Sequence, residues 1–168
     1  MGTDKAFVDV DGRPMVVAVA DALRAAGCDP IECQGGDLDG LRALGLAAVA
    51  DPEPHAGPVA AIAAARQRHT GPVAIAACDL AWLDPATVRA VVDAGAGACR
   101  PAVAVAGGRH HLLVYLPAEI SPADDHVASA GSVGALLAAL DAVRVEIDHG
   151  AVANVNTPDD LGSGPPGR

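Results

Sequence analysis

The sequence predicts an α/β fold: a mostly parallel sheet between two layers of helices, with an antiparallel part in its second half. Three observations carry that expectation. Short apolar segments alternate with helical patterns through the first half of the chain, as in parallel strands joined by crossover helices. Two of these segments end in an aspartate, Asp51 and Asp79. Further on, two β-type segments meet across Gly107-Gly108, the turn of an antiparallel pair.

The chain opens with Asp4-Lys5, a short apolar strand, and an Asp11-Gly12-Arg13-Pro14 turn that feeds a helix. Gly12 tolerates the positive φ of a tight turn, and Pro14 suits a first helical turn, where its missing N–H is not needed. Met15 to Ala26 reads as that helix, with Val16, Val19, Ala20 and Leu23 on its apolar face and Gly27 as its stop. Ile31 to Cys33 is a strand leading into Gly35-Gly36, Asp39 to Leu44 a helix, and Ala47 to Ala50 a strand ending at Asp51. Pro52, Pro54, Gly57 and Pro58 stiffen the loop before a helix from Val59 to Arg68, and the strand Val73 to Ala77 ends at Cys78-Asp79.

In the second half, Asp84 caps a helix from Pro85 to Ala94, which Gly95-Ala96-Gly97 closes. Arg100 to Val105 and His111 to Leu116 form the antiparallel pair. Ser132 caps an apolar helix ending at Leu140, Val143 to Ile147 alternates like an edge strand, and Thr157-Pro158 starts a terminal helix. Without an internal repeat or domain boundary in the pattern, one domain is expected over residues 1–161. The Gly/Pro-rich tail from Gly162 to Arg168 is expected to be disordered.

Composition bounds the function. Apolar residues make up 51% of 168, yet Trp, Tyr and Phe occur once each, so Ala, Val and Leu fill the interior. A formal charge of −10 argues against a broad nucleic-acid or anionic-membrane surface. Cys28, Cys33, Cys78 and Cys99 show neither a zinc spacing nor the density of a disulfide scaffold, and read as buried free thiols in a reducing compartment. The start carries no signal-peptide pattern and no apolar run reaches spanning length, so a cytoplasmic protein is expected.

Several polar residues are candidates for chemistry. Asp79 sits where ligands of open α/β sheets bind, at a strand's carboxyl end. It either holds Mg²⁺ against phosphate oxygens or caps the next turn. Asp51 is similar in kind, and by spacing alone is a turn former. Lys5 offers a compact cation for phosphates, or is an ordinary surface lysine. Asn154 and Asn156 alternate along a short extended segment, so both amides can face one polar ligand; the helix start at Thr157 is the competing explanation. His110 and His111 point to opposite faces of a strand and form no easy chelate.

The wording of these segments resembles the molybdenum cofactor guanylyltransferases. The resemblance rests on Met1-Gly2-x-Asp4-Lys5, the Gly-x-Pro of Gly12 to Pro14, Asp51 followed by Gly57-Pro58-Val59, Cys78-Asp79-x-x-x-Leu83, and Asn154-Val155-Asn156-Thr157-Pro158. It implies a Rossmann-like nucleotidyltransferase domain that transfers GMP from GTP to the terminal phosphate of molybdenum-bound molybdopterin, releasing pyrophosphate. Lys5, Asp51 and Asp79 would form the GTP site, Lys5 and Asp79 would be catalytic, and Asp79 would bind Mg²⁺ or Mn²⁺. Asn154 and Asn156 would lie on the pterin side. Partners would be GTP, molybdopterin and proteins that handle it, including molybdoenzyme chaperones, but neither nucleic acid nor membrane.

The sequence also departs from the family pattern. A strand and a loop of the form L-A-G-G-x-S-x-R-M-G normally precede the lysine, and here only the closing Met1-Gly2 is present. Met1 is therefore expected to be an internal methionine, with weak GTP binding by the chain as it stands. Val133-Gly134-Ala135 replaces a helix that often carries an arginine, and Arg109 to Leu112 lacks the proline of a Gln/His-Pro-Leu run. Two alternatives stay open. One is a sister enzyme using CTP or another phosphorylated acceptor. The other is a non-catalytic remnant that binds the cofactor or a chaperone.

Overall fold

Alternation within two neighbouring strands shows how the layers form. The computed structural model describes residues 4–120 and 130–152. Strand β6 (Ala102–Ala106) and strand β7 (Arg109–Leu116) pair antiparallel across Gly107-Gly108. Ala102, Ala104, Leu113 and Tyr115 face one side, against helix α1 (Met15–Ala25) and helix α4 (Pro85–Ala98). Val103, Val105, Val114 and Leu116 face the other, against helix α3 (Pro58–Arg68) and helix α5 (Val133–Ala139). Period-two alternation of apolar residues thus builds two cores on one sheet.

Around this pair, β5 (Val73–Ala76) joins the free edge of β7, and β8 (Val143–Glu146) runs parallel to β6, giving the order β5-β7-β6-β8. Two further strands, β3 (Glu32–Gln34) and β4 (Ala47–Val49), form a separate parallel pair. Helix α2 (Leu38–Ala43) connects them and buries Leu41 with Val16, Ala20 and Leu46. The architecture is α/β with helices on both faces. Where the sequence pointed to a mostly parallel sheet, the described ladders are mixed, two parallel and three antiparallel, because antiparallel β7 separates β5 from β6.

The N-terminus differs from the expected single strand. Lys5–Phe7 is a turn of 3₁₀-helix, followed by a hairpin of β1 (Asp9–Val10) and β2 (Arg13–Pro14). Both central residues of its turn, Asp11 and Gly12, have positive φ, the geometry that matches the twist of paired strands. Pro14 is extended and precedes the helix, which begins at Met15.

Helix α4 runs beyond its expected end at Ala94, to Ala98, and closes on Cys99 in the left-handed region. Gly95 does not stop it. A Cβ there would lie 2.3 Å from the Tyr115 ring, so this glycine lets the helix approach β7. The expectation of four buried thiols also changes: Cys99 is exposed and the other three are half-buried. Among the described residues Arg66 is the buried charge, 6% exposed. It donates to the carbonyls of Thr70, Gly71, Ala118 and Ile120, which offsets desolvation without a carboxylate. The expected Thr157-Pro158 helix and the tail lie outside the described residues. Among those described, no helix is long and apolar enough to cross a membrane.

Candidate active site at the carboxyl ends of the strands

Two of the polar residues that the sequence singled out, Asp51 and Asp79, follow the carboxyl ends of β4 and β5, and a glycine turn follows β3. β3 runs into Gly35-Gly36, both with positive φ, and Gly35 donates its N–H to the Val49 carbonyl at 2.9 Å. A Cβ on Gly35 would lie 3.4 Å from Cβ of Asp51, and one on Gly36 would lie 3.1 Å from Oδ2 of Asp4. The two glycines therefore sit between the end of β4 and the start of the described chain. A conformation that favours glycine allows this approach.

Asp4 fixes Lys5 in turn. Its Oδ1 accepts from the N–H of Ala6 at 3.1 Å and caps the 3₁₀ turn that carries Lys5. Ala6 is buried against Val16 and Ala20, while Lys5 is exposed. The cation is thus held by a capped turn anchored on α1.

Asp79 lies three residues past the end of β5 and is half-buried, with Oδ1 shielded from solvent. The residues behind it, Ala81 and Trp82, pack with Val8, Val10 and Met15, so the N-terminal hairpin braces the Asp79 loop. Cys78 reports the local field. Burial pushes its thiol up first, and the charges of Asp79 and Asp4 push it further in the same direction. Two carboxylates from distant parts of the sequence thereby act on one atom.

Asp51 closes the other side. Its Oδ1 accepts from the Glu53 N–H at 3.2 Å, the turn-forming role expected from spacing alone, and its Oδ2 lies on the Gly35 side. A cavity of about 360 Å³ opens here, lined by Gly35, Gly36, Leu38, Ala50, Asp51 and His55. That volume suits a small ligand.

The structure thus brings Lys5, Asp51 and Asp79 to one end of the fold. Asn154 and Asn156 lie outside the described residues. Of the histidines, His110 is exposed with Nε2 2.8 Å from Arg144, while His111 stands edge-on to His149. Gly35 and Gly36 are the participants that sequence reasoning did not single out, and Asp4, read there only as part of the Asp4-Lys5 motif, gains a role as the cap of the Lys5 turn. Consecutive glycines directly after a strand were the available signal. Among the described residues no group of three or more His, Cys, Asp or Glu could cage a metal.

The arrangement is a layered α/β fold with acidic residues and a glycine turn beyond its strand ends. Residues 1–145 match the model of the MobA-like NTP transferase domain, and the chain belongs to that family. Among curated proteins, none matches the sequence significantly. Solved structures share the fold. Molybdopterin-guanine dinucleotide biosynthesis protein A from Archaeoglobus fulgidus superposes with a TM-score of 0.71 at 21% identity, covering 96% of this chain and 89% of that one. Rv0371c from Mycobacterium tuberculosis gives 0.74 at 19% identity, over 97% and 89%, and a related structure of it is a manganese complex. The 2-C-methyl-D-erythritol 4-phosphate cytidylyltransferase from Thermus thermophilus gives 0.65 at 18% identity, over 95% and 91%.

Proposed function

We propose that the protein transfers GMP from GTP to the terminal phosphate of molybdenum-bound molybdopterin. The single observation that carries the reading is the convergence of Asp4-Lys5, Gly35-Gly36, Asp51 and Asp79 at one end of the fold. Family membership supports nucleotidyl transfer, and the Archaeoglobus relative supports the molybdopterin acceptor.

In this reading an acceptor phosphate oxygen attacks the α-phosphorus of GTP. The bond from the α-phosphorus to the bridging oxygen breaks, and pyrophosphate leaves with the electron pair. No side chain needs to act as nucleophile. Lys5 offsets negative charge on the leaving pyrophosphate, and the Gly35-Gly36 turn with Asp51 orients the nucleoside. Positioning and charge neutralisation supply most of the rate in such reactions.

The donor set fits Mg²⁺ or Mn²⁺ of one kind only. Such an ion is bound by one or two carboxylates and completed by substrate phosphates. Asp79, with its shielded oxygen, would hold it, and when bound it offsets charge on the triphosphate. On this reading Asn154 and Asn156 belong to the pterin side, the molecule acts in the cytoplasm, and the domain spans residues 1–161.

A second reading, a CTP-using enzyme with another phosphorylated acceptor, is favoured by the cytidylyltransferase among the structural relatives. Nucleotide transfer to molybdenum-bound molybdopterin, followed by pyrophosphate release, tests both. It is to be run with GTP and with CTP, on the 168-residue chain and on a form extended ahead of Met1. GMP transfer in either form supports the proposal. CMP transfer alone assigns the sister activity, and no transfer by either form overturns both.

A further inference from the structure

A cavity of about 710 Å³ lies between β3 and β5. On the other side of β5, the same end of the fold carries two basic side chains that the proposed reaction does not use. Strand β7 runs antiparallel to β5 and β6, so its first residues lie at the carboxyl ends of both. Ala77 donates to the Leu112 carbonyl. His110 lies two residues before Leu112 and Asp79 two residues after Ala77, so both stand past the paired end of that ladder. Across β6, His110 pairs with Val105, and Arg144 of β8 pairs with Val103. Val103 and Val105 face α3 and α5, which puts both basic residues on that one face.

There they meet. Nη1 of Arg144 is 2.8 Å from Nε2 of His110. A guanidinium has donors only, so Nε2 accepts and the ring proton is on Nδ1. In a chain with a formal net charge of −10, acidic partners are plentiful. Arg13, Arg24, Arg42, Arg68 and Arg100 each pair with a carboxylate. Arg144 and His110 are exposed, and among the described residues neither does so. Glu146, two residues along the same face of β8, forms no ion pair with them. The charge of Arg144 is left for an anion.

The other ring nitrogen points to where that anion fits. A Cβ on Gly134 would lie 3.9 Å from Nδ1 of His110 and 3.9 Å from Oγ of Ser132. Ser132 accepts from the Ala135 N–H at 3.1 Å and keeps its own proton to donate. Two donors thus flank one point, the place that a side chain at residue 134 would occupy. Glycine weakens a helix relative to alanine, and no described atom comes closer than 3.9 Å to that point, so packing does not demand it. What the glycine leaves is room for a ligand. The short helix supplies this space and one hydroxyl; the cation and the imidazole come from strands.

A cation with spare N–H groups, an imidazole N–H and a hydroxyl suit a phosphate, whose geometry a guanidinium matches. Position selects which phosphate. Asp4-Lys5 lies beside Gly36 and Cys78, between β3 and β5, whereas Arg144 and His110 stand over β7, β6 and β8. We propose that Arg144, His110 and Ser132 form the seat of the acceptor's phosphomonoester, and that Gly134 stays small to admit it. The inference rests on the transfer reading above. A phosphomonoester has three terminal oxygens, so two are held here while the third attacks the α-phosphorus. Arg144 and His110 bind and orient; neither takes part in bond exchange.

The test follows the His110 ring by NMR in the 168-residue chain, with its signals assigned by their loss in His110→Gln. Titration with glycerol 3-phosphate at constant ionic strength is expected to shift these signals saturably. Arg144→Gln should weaken that binding at least tenfold. Gly134→Ala should weaken it too, with Tm equal or higher, an outcome that a packing role for the glycine would not give. No saturable shift, or unchanged affinity in Arg144→Gln, would overturn the proposal. In the transfer assay, Arg144→Gln should raise KM for the acceptor at least tenfold and leave KM for the nucleotide unchanged. A rise confined to the nucleotide would assign the pair to the triphosphate and overturn the proposal as well. Saturable binding without transfer of any nucleotide would uphold the phosphomonoester seat and refute the transfer reading alone.

Discussion

The β7-β6 pair and the β3–β4 pair obey the same rules of strand pairing but are covered very differently. Every residue of β6 is buried, with 0 or 1% exposure from Ala102 to Ala106. Every residue of β3 is half-exposed, and so is every residue of β5, despite its apolar Val-Ala-Ile-Ala sequence. Sequence alone does not separate Val73–Ala76 from Ala102–Ala106. The difference is a neighbour: among the described residues, β6 has a strand on each edge and β5 has one. Coverage of a strand is therefore a property of the sheet around it, and here it falls off towards the cavity.

The contrast can be sharpened first by truncating side chains on its two sides. Leu113 is 1% exposed between α1 and α4, and Leu113→Ala should cost about 2–5 kcal/mol by lost burial and cavity formation. Ile75→Ala, at a half-exposed position beside the open cavity, should cost less than that range. Urea unfolding of the two variants checks the order, and equal losses would mean that the cavity wall is packed like the core.

The same contrast runs through the site. Asp79 lies just beyond β5, which is tied to the covered sheet, while Asp51 lies just beyond β4, in the less covered pair. Asp79→Asn should lower nucleotidyl transfer by about 10²–10³, the effect of removing one preorganised electrostatic group. Asp51→Asn should lower it less. Initial rates at saturating Mg²⁺ decide, and a near-normal rate for Asp79→Asn would remove it from the charge-stabilising set.

How much of this was legible in sequence depended on where the information sat. Helix α1 announced itself through apolar periodicity, α3 through the Pro58 at its start, and β5 through a continuous apolar run after Gly71-Pro72, while Asp51 and Asp79 did so through their place after apolar strands. The Lys5–Phe7 turn and the hairpin were not legible, because two-residue strands are set by the Asp11-Gly12 turn rather than by pattern. Gly95 read as a helix stop because a glycine's local preference is visible in sequence and the Tyr115 ring against it is not. Gly35 and Gly36 joined the site only through tertiary contacts with Asp51 and Asp4. No local rule reports such contacts.

Two smaller tests address the covered half alone. Gly95→Ala would drive a methyl into the Tyr115 ring, an overpacking that costs about 1–3 kcal/mol; Tyr115→Ala in the same chain should relieve part of it. Asp84 accepts from the N–H groups of Ala86 and Thr87 and from the Thr87 hydroxyl. Burial alone would raise its pKa, but these hydrogen bonds, with Arg89 nearby, hold it below the usual carboxylate value. A depressed folded pKa gives stability that is present above the unfolded value and lost as pH falls through the folded one. Asp84→Ala should therefore cost about 1 kcal/mol at neutral pH, and that deficit should shrink on acidification below pH ~4. A deficit unchanged at low pH would show that the charged cap is not its source.

The central claim, that among the described residues β5 is paired on one edge and open on the other, is tested most directly by residue-resolved amide exchange of the 168-residue chain. Ile75 and Ala77 bond β7 and should exchange slowly, as Ala104 does within the covered pair. Ala74 and Ala76, one residue away on the same strand, face the cavity and should exchange at least tenfold faster. That alternation along a single four-residue strand is the predicted result, and uniform protection from Ala74 to Ala77 would contradict the account.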